Sequence, residues 1–162
     1  MLQPDPAEPI SWALVEFLAE RVRLIRTDAG FLTDIGMGLV VVDDSDVPDE
    51  FEGPSTVIEV DRITNVSGSR SQASSDVGVV IEFSVPRGDE QENPLKLVHR
   101  ARKDLMRVLT FDSRDMPKGI TKFEVTETNL ATVSDDAGHS SVVAQITARA
   151  GLTEIIQPVS NP

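Results

Sequence analysis

The sequence predicts an α+β domain in which two main helices pack on one face of a mixed or antiparallel sheet. Three observations predict this fold class. Segments 10–26 and 94–109 carry apolar residues at helical spacing, five shorter apolar segments are typical of strands, and the order is α-β-β-β-α-β-β. The length of 162 residues and the apolar fraction of 40% fit a single domain with its own core.

The first helix, residues 10–26, is predicted from apolar residues that share one face. These are Ile10, Leu14, Phe17, Leu18, Leu24 and Ile25. Arg21 falls inside this arc, so its aliphatic stem is expected to pack while its guanidinium reaches outward. Trp12 is the single Trp and falls on the opposite face, where an exposed indole is a candidate contact residue. The alternative, a half-covered Trp at a helix start, remains open.

Three strands are predicted next, at Leu39–Val42, 57–63 and 77–85. The third alternates most regularly, with Val79 and Ile81 on one face and Val80 and Glu82 on the other. The intervening segment 64–76 is rich in Ser and is predicted to be a flexible arm at the tip of a hairpin.

The second helix is predicted to start at Asn93-Pro94, because Asn is a favoured N-cap and Pro a favoured first helical residue. Strands at 123–128 and 142–150 follow it. The domain is therefore expected to span residues 10–154, with an N-terminal extension at 1–9 and a C-terminal tail at 155–162. The extension lacks the basic start and apolar run of a signal peptide, and the longest aliphatic run is too short to cross a membrane.

Charge is segregated along the chain, whose net charge is −12. One face of the second helix carries a basic stripe, which consists of Lys96, Arg100, Lys103 and Arg107. Segment 43–52, the acidic loop, carries Asp43, Asp44, Asp46, Asp49, Glu50 and Glu52. Opposite charges on separate surfaces indicate docking of copies or of a partner, although two solvated surfaces would give the same pattern. The acidity argues against tight DNA binding, because such binding depends on neutralising phosphates.

Motifs for catalysis, metal or cofactor binding are lacking in the sequence. There is no Cys and there are only two His. Asp44-Ser45-Asp46 opens like a calcium loop, but Pro48 and Ser55 occupy later ligand positions. Gly36-Met37-Gly38 precedes a strand, which indicates a turn and not a dinucleotide site. The sequence therefore predicts no enzyme, no metal and no cofactor.

Three segments carry a resemblance to a known family. They are the helix segment 10–18, the second-helix segment Leu97-Val98-His99-Arg100-Ala101-Arg102-Lys103-Asp104-Leu105 and the closing strand 142–152, with a strand–arm–strand region between the first two. Over roughly residues 10–153 the chain resembles the tail terminator, or tail completion, proteins of bacteriophages with long non-contractile tails.

The resemblance implies a virion protein, assembled in the host cytoplasm, that forms a hexameric ring. Such a ring caps the tail tube, ends its polymerisation and presents the surface for head attachment, while DNA passes through its lumen without specific binding. The expected partners are further copies, the tail tube protein and a head-completion or neck protein. No catalytic residues are implied. A neck connector of the same particle and a monomeric binding module are the alternatives.

The charge pattern adds a hypothesis of its own. A ring needs one patch of each copy to meet a different patch of the next. We expect the basic stripe to dock on the acidic loop of an adjacent subunit, or on a partner ring.

Overall fold

The fold is a five-stranded sheet with two helices packed on one face. The structure, a computed structural model, describes residues 8–49, 51–69, 71–88 and 93–156, apart from the side chain of Ser113. The elements in chain order are helix α1 (Ile10–Arg23), strands β1 (Leu39–Val41), β2 (Ser55–Gly68) and β3 (Gln72–Pro86), helix α2 (Pro94–Val108), and strands β4 (Ile120–Ser134) and β5 (Ser140–Ile155). The predicted α+β class and the order α-β-β-β-α-β-β are confirmed.

The sheet is mixed, with strand order β1-β2-β3-β5-β4. β1 pairs with β2 in parallel, whereas β2–β3, β3–β5 and β5–β4 pair antiparallel. The edge strands β1 and β4 therefore run in opposite directions. Residues that are paired from one strand to the next lie side by side across the sheet, and we describe them as level with one another. One such row consists of Leu39, Ser55, Ser84, Val143 and Ala131.

The core lies between the helices and one face of the sheet. Strict alternation in β3 and β5 directs small and branched residues to the helices. These include Val77, Val79, Ile81, Phe83 and Val85 from β3, and Val142, Ala144, Ile146, Ala148 and Ala150 from β5. Burial of apolar surface contributes about 25 cal/mol per Å² and is the main driving force for folding.

The first helix differs from its prediction at its end and on its buried face. It ends at Arg23 and not at 26, and Leu24 at its C-cap is exposed instead of buried. Val15, Ala19 and Val22 are buried and widen the predicted arc. Leu24 lies outside because the chain leaves the helical path there. Arg21 is half-buried, but its guanidinium is engaged within the chain instead of reaching outward: its Nε donates to the Val108 carbonyl at 2.9 Å and its guanidinium lies over the Phe111 ring.

The predicted loop at 64–76 is wrong in its secondary structure. Residues Thr64–Gly68 belong to β2 and Gln72–Asp76 to β3, with Asn65 facing Ser75 and Gly68 facing Ala73. On its other edge, this part of β3 pairs with β5 as far as Gln72, which lies opposite Ile155. Ser and Thr satisfy their backbone groups in these ladders, so a Ser-rich composition did not prevent pairing.

The chain ends conform only in part to the predicted boundaries. Ile155, assigned to a tail, ends β5, and the amide of Ile156 donates to the Ser71 carbonyl at 2.8 Å. Residues 1–7 of the predicted extension and 157–162 of the predicted tail lie outside the described residues. Within the described ranges no helix is long and apolar enough to cross a membrane.

Thr56 offers a test of the core beside β1. Its side chain is 1% exposed, and its hydroxyl has no hydrogen-bond partner in the described part of the chain. We expect Thr56→Val to raise the free energy of unfolding by about 1 kcal/mol, because the variant removes an unsatisfied buried hydroxyl. Urea denaturation measures the change.

The matched control for this substitution is Thr33→Val, which removes a buried hydroxyl that donates to Asp104 at 2.7 Å. This control is expected to lose about 1 kcal/mol of stability. Equal and opposite shifts support the assignment, while destabilisation by both variants contradicts it.

Candidate interaction surfaces

The basic stripe lies on α2, where all four side chains are exposed. The helix begins as predicted, because the Asn93 side chain accepts from the Leu95 amide and Pro94 occupies the first turn. Val98, Ala101, Leu105 and Val108 face the core, which leaves the charged face to solvent. The sequence-predicted stripe is therefore a real feature of the surface.

Arg107 of the basic stripe is engaged within the chain. Its Nη1 donates to the Gly30 carbonyl at 2.9 Å, and its guanidinium lies 4.3 Å from the centre of the Phe31 ring. Through these two contacts, Arg107 also holds the loop after α1 in place. Lys96 and Lys103 project further along the same helix face.

Asp104 is a structural residue that sequence reasoning missed. It is fully buried on α2 and accepts three hydrogen bonds, from the Leu32 amide at 3.0 Å, the Thr33 amide at 2.8 Å and the Thr33 hydroxyl at 2.7 Å. Its position three residues after Ala101 and four before Val108 places it on the core face, and this spacing was the available signal. Asp104 ties the loop after α1 to α2.

The acidic loop follows β1 at one edge of the sheet. Asp43, Asp44, Asp46, Asp49 and Glu52 are exposed, whereas Glu50 lies outside the described residues. The Ser45 hydroxyl and the Ser45 amide both donate to the Asp43 carboxylate, at 2.7 and 2.9 Å, and these bonds lower the pKa of Asp43. The carboxylate therefore keeps its negative charge to lower pH than an ordinary Asp.

Trp12 is exposed over 41% of its surface, which makes it a half-covered side chain with an exposed portion, and its Nε1 donates to Glu16 at 2.7 Å. It borders a shallow depression of about 510 Å³ at the β1–β2 edge, lined by Val15, Val42, Asp43, Glu59, Val60 and Ile63 among others. The structure thus brings two predicted site residues, Trp12 and Asp43, to one place. It does not bring the basic stripe there, because α2 packs on β3 and β5.

A second depression, of about 520 Å³, lies at the opposite edge of the sheet. Its lining comes from the end of α2, the following turn and β4, and includes Met106, Phe111, Met116, Lys122, Phe123 and Val125. The Phe111 and Phe123 rings in this lining are stacked with centroids 5.3 Å apart, and Phe17 packs edge-on against Phe111 at 5.2 Å. Sequence reasoning missed this surface because its residues are separated in the chain.

Both edges of the sheet are open in the described part of the chain. β1 and β4 end the strand order, and neither pairs with a strand on its outer side. Large apolar side chains are exposed at both, with Met37 before β1 at 65% and with Leu130 and Val133 on β4 at 41% and 54%. An unpaired strand edge is a template for pairing with another chain.

The sheet face that points away from the helices carries both charged and apolar side chains, with Val57, Val80 and Val143 on the same face as Asp76. Asp76 accepts from Arg149 at 3.0 Å and lies 3.7 Å from Lys122, so three adjacent strands share one ionic cluster. The alternation of the strands directs Glu82 and Glu124 to the same face. This surface offers carboxylates and short polar side chains to whatever it faces.

Comparison with known proteins gives no identification. No protein-family model matches the sequence. No curated protein matches it either. Among the described residues, no group of three or more His, Cys, Asp or Glu side chains is arranged to hold a metal ion.

Proposed function

We propose that this chain is a structural subunit that assembles into a closed ring, and that the ring caps a bacteriophage tail tube as a tail terminator. The observation that carries the ring is the pair of open sheet edges, β1 and β4, which run in opposite directions. Two different edges favour head-to-tail repetition, and such repetition gives a ring when the rotation closes. The resemblance of residues 10–153 to tail terminators supports the cap.

Charge supports the same proposal. The net charge of −12 suits a lumen that passes DNA, since bound phosphates would slow its movement. The basic stripe lies on the side of the helix layer away from the sheet, and a tube or neck protein that extends over the outside of the ring would meet it there. The acidic loop lies at the β1 edge. The alternative is that the basic stripe of one copy contacts the acidic loop of another copy.

The test of the cap is electron microscopy of phage tails assembled with and without the protein. We expect tails of uniform length carrying a ring at the head-proximal end when the protein is present, and overlong tails without it. A ring found on the head vertex and not on the tail would assign the chain to the neck connectors instead. Solitary particles that never decorate either structure would overturn the proposal.

The basic stripe gives a sharper variant of this experiment. We expect Lys96→Glu with Lys103→Glu to leave the ring intact but to reduce the fraction of capped tails about tenfold or more, because opposed charges at docking surfaces fix orientation and rate. Both residues are exposed on α2. Counting capped tails in micrographs measures the effect.

A matched control carries the same change of charge elsewhere. Arg87→Glu with Lys118→Glu alters two exposed residues outside α2. Capping is expected to persist in this control. Equal loss in both double variants would show that total charge, and not the basic stripe, controls docking.

A further inference from the structure

We propose that copies of this chain join through a specific head-to-tail joint, in which β4 of one copy pairs with β1 of the next. The inference rests on the proposed ring and specifies its interface. β1 and β2 run in one direction, and β4 runs in the other. Adding β1 of the next copy beside β4 therefore makes an antiparallel pair.

The two edge strands lie at the same height in the sheet. Partners traced across the strands place Leu39, Val40 and Val41 of β1 level with Ala131, Leu130 and Asn129 of β4. Copies that join without displacement along the strands therefore bring β1 directly beside this part of β4.

Neither segment carries charged, Pro or Gly residues of its own, but on β1 the Val40 carbonyl already accepts from Arg23 Nη2 at 3.1 Å. Residues 39–42 are Leu-Val-Val-Val, and residues 128–134 are Thr-Asn-Leu-Ala-Thr-Val-Ser. Both lack charge, Pro and Gly, and the irregularities in β4 pairing lie before residue 128. Native edges are usually blunted by charges, Pro or bulges, so two edge segments without them at one height indicate strand pairing, in which the neighbouring strand displaces Arg23 from the Val40 carbonyl.

Beyond the end of β1, the joint is completed by the two apolar depressions. Val60 of β2 is level with Val125 of β4, and Ile63 is level with Phe123. The depression bordered by Trp12 therefore faces the depression lined by Phe111 and Phe123 of the next copy. Beyond the end of β1, a gap remains between β2 and the β4 of the neighbouring copy, and Trp12 fills this gap.

Charges flank this apolar contact. Lys122 lies on the β4 side, whereas Asp43 and Glu59 lie on the Trp12 side. Arg62 is level with Glu124, an attractive pair, whereas Glu59 is level with Glu127, a repulsive pair. Two strand spacings, about 10 Å, separate the backbones of each pair, which long side chains can bridge.

Disulfide trapping tests the strand pairing directly, because the chain has no Cys of its own. Leu39→Cys with Ala131→Cys places two thiols at opposite edges of one copy, about 19 Å apart, well beyond the Cα separation of about 7 Å that a disulfide allows. We expect oxidation, with and without tail tubes, to give covalent multimers up to a closed ring. Absence of multimers under both conditions overturns the joint.

Three further variants keep this test interpretable. Leu39→Cys with Thr126→Cys, five residues along β4, is expected to give no multimers. Ala131→Cys alone is expected to stay uncoupled, and a covalent dimer from it would show two-fold β4–β4 pairing and overturn the proposal. If Leu39→Cys does not fold, Val41→Cys with Asn129→Cys occupies another level pair.

Charge reversal on β4 tests the register independently. Both Glu127→Lys and Glu124→Lys change the net charge by the same two units. We expect Glu127→Lys to lower the dissociation constant of the joint about two- to fivefold by relieving its repulsion with Glu59, and Glu124→Lys to raise it by a similar factor. Sedimentation velocity measures both constants, and thermal melting reports any loss of fold. Shifts in the same direction overturn the register.

Failure of this inference and failure of the proposed function give different results. Capped tails without the expected crosslinks keep the terminator role and discard the β4–β1 joint. Crosslinked rings that never bind a tail keep the joint and discard the cap.

Discussion

Asp104→Ala is expected to lower the free energy of unfolding by about 3 kcal/mol, as is usual when a buried hydrogen-bonded carboxylate is removed. The side chain is 0% exposed and accepts three hydrogen bonds, from the amides of Leu32 and Thr33 and from the Thr33 hydroxyl. Truncation leaves three donors without their acceptor and opens a cavity between α2 and the loop after α1. Equilibrium unfolding in urea measures the loss.

The matched variant for Asp104 is Asp104→Asn, which keeps the shape but replaces one carboxylate oxygen by a donor. It is expected to lose about 2 kcal/mol, because one side of the carboxamide then meets an amide or hydroxyl that also donates. Lys103→Ala, an exposed neighbour on the same helix, is expected to change stability by less than about 0.5 kcal/mol. An Asp104→Ala protein as stable as the parent would show that the hydrogen bonds carry no net stabilisation.

The same residue shows why part of this fold was predictable from sequence and part was not. The helical period of α2 and the two-residue period of β3 are local, so the fold class and the element order followed from neighbouring residues. The helical period also placed Asp104 on the buried face. Its partners Leu32 and Thr33 lie more than 70 residues away in the chain, and no local pattern links them.

The candidate interaction surfaces also include features that the sequence predicts and features that it does not. Trp12 and the basic stripe were predicted because helix geometry alone decides which side chains point outward. The depression lined by Phe111 and Phe123 was not, because its residues come from the end of α2, the following turn and β4. The strand edges were hidden as well, since the order β1-β2-β3-β5-β4 separates β4 from β3 by a strand that comes later in the chain. Ser-rich segment 64–76 was misassigned because cross-strand pairing, and not composition, decides its structure.

Trp12→Ala is expected to weaken the proposed joint between copies more than any other single change on the surface. The indole is 41% exposed and borders the depression that faces Phe111 and Phe123 of the next copy in that joint. A buried Trp at an interface commonly contributes about 2–4 kcal/mol, which raises the dissociation constant of each joint by about 30- to 1,000-fold. Sedimentation velocity and the fraction of capped tails measure the loss.

The monomer is expected to tolerate this substitution, because within one copy the indole makes an exposed hydrogen bond to Glu16 and the buried face of α1 lies elsewhere. Its thermal midpoint should therefore stay close to that of the parent. Leu24→Ala is the control, since Leu24 is 53% exposed at the far end of the same helix. A ring that survives Trp12→Ala but not Leu24→Ala would place the joint at the other end of α1, because the exposed apolar side chain that matters would then be the one at its C-cap.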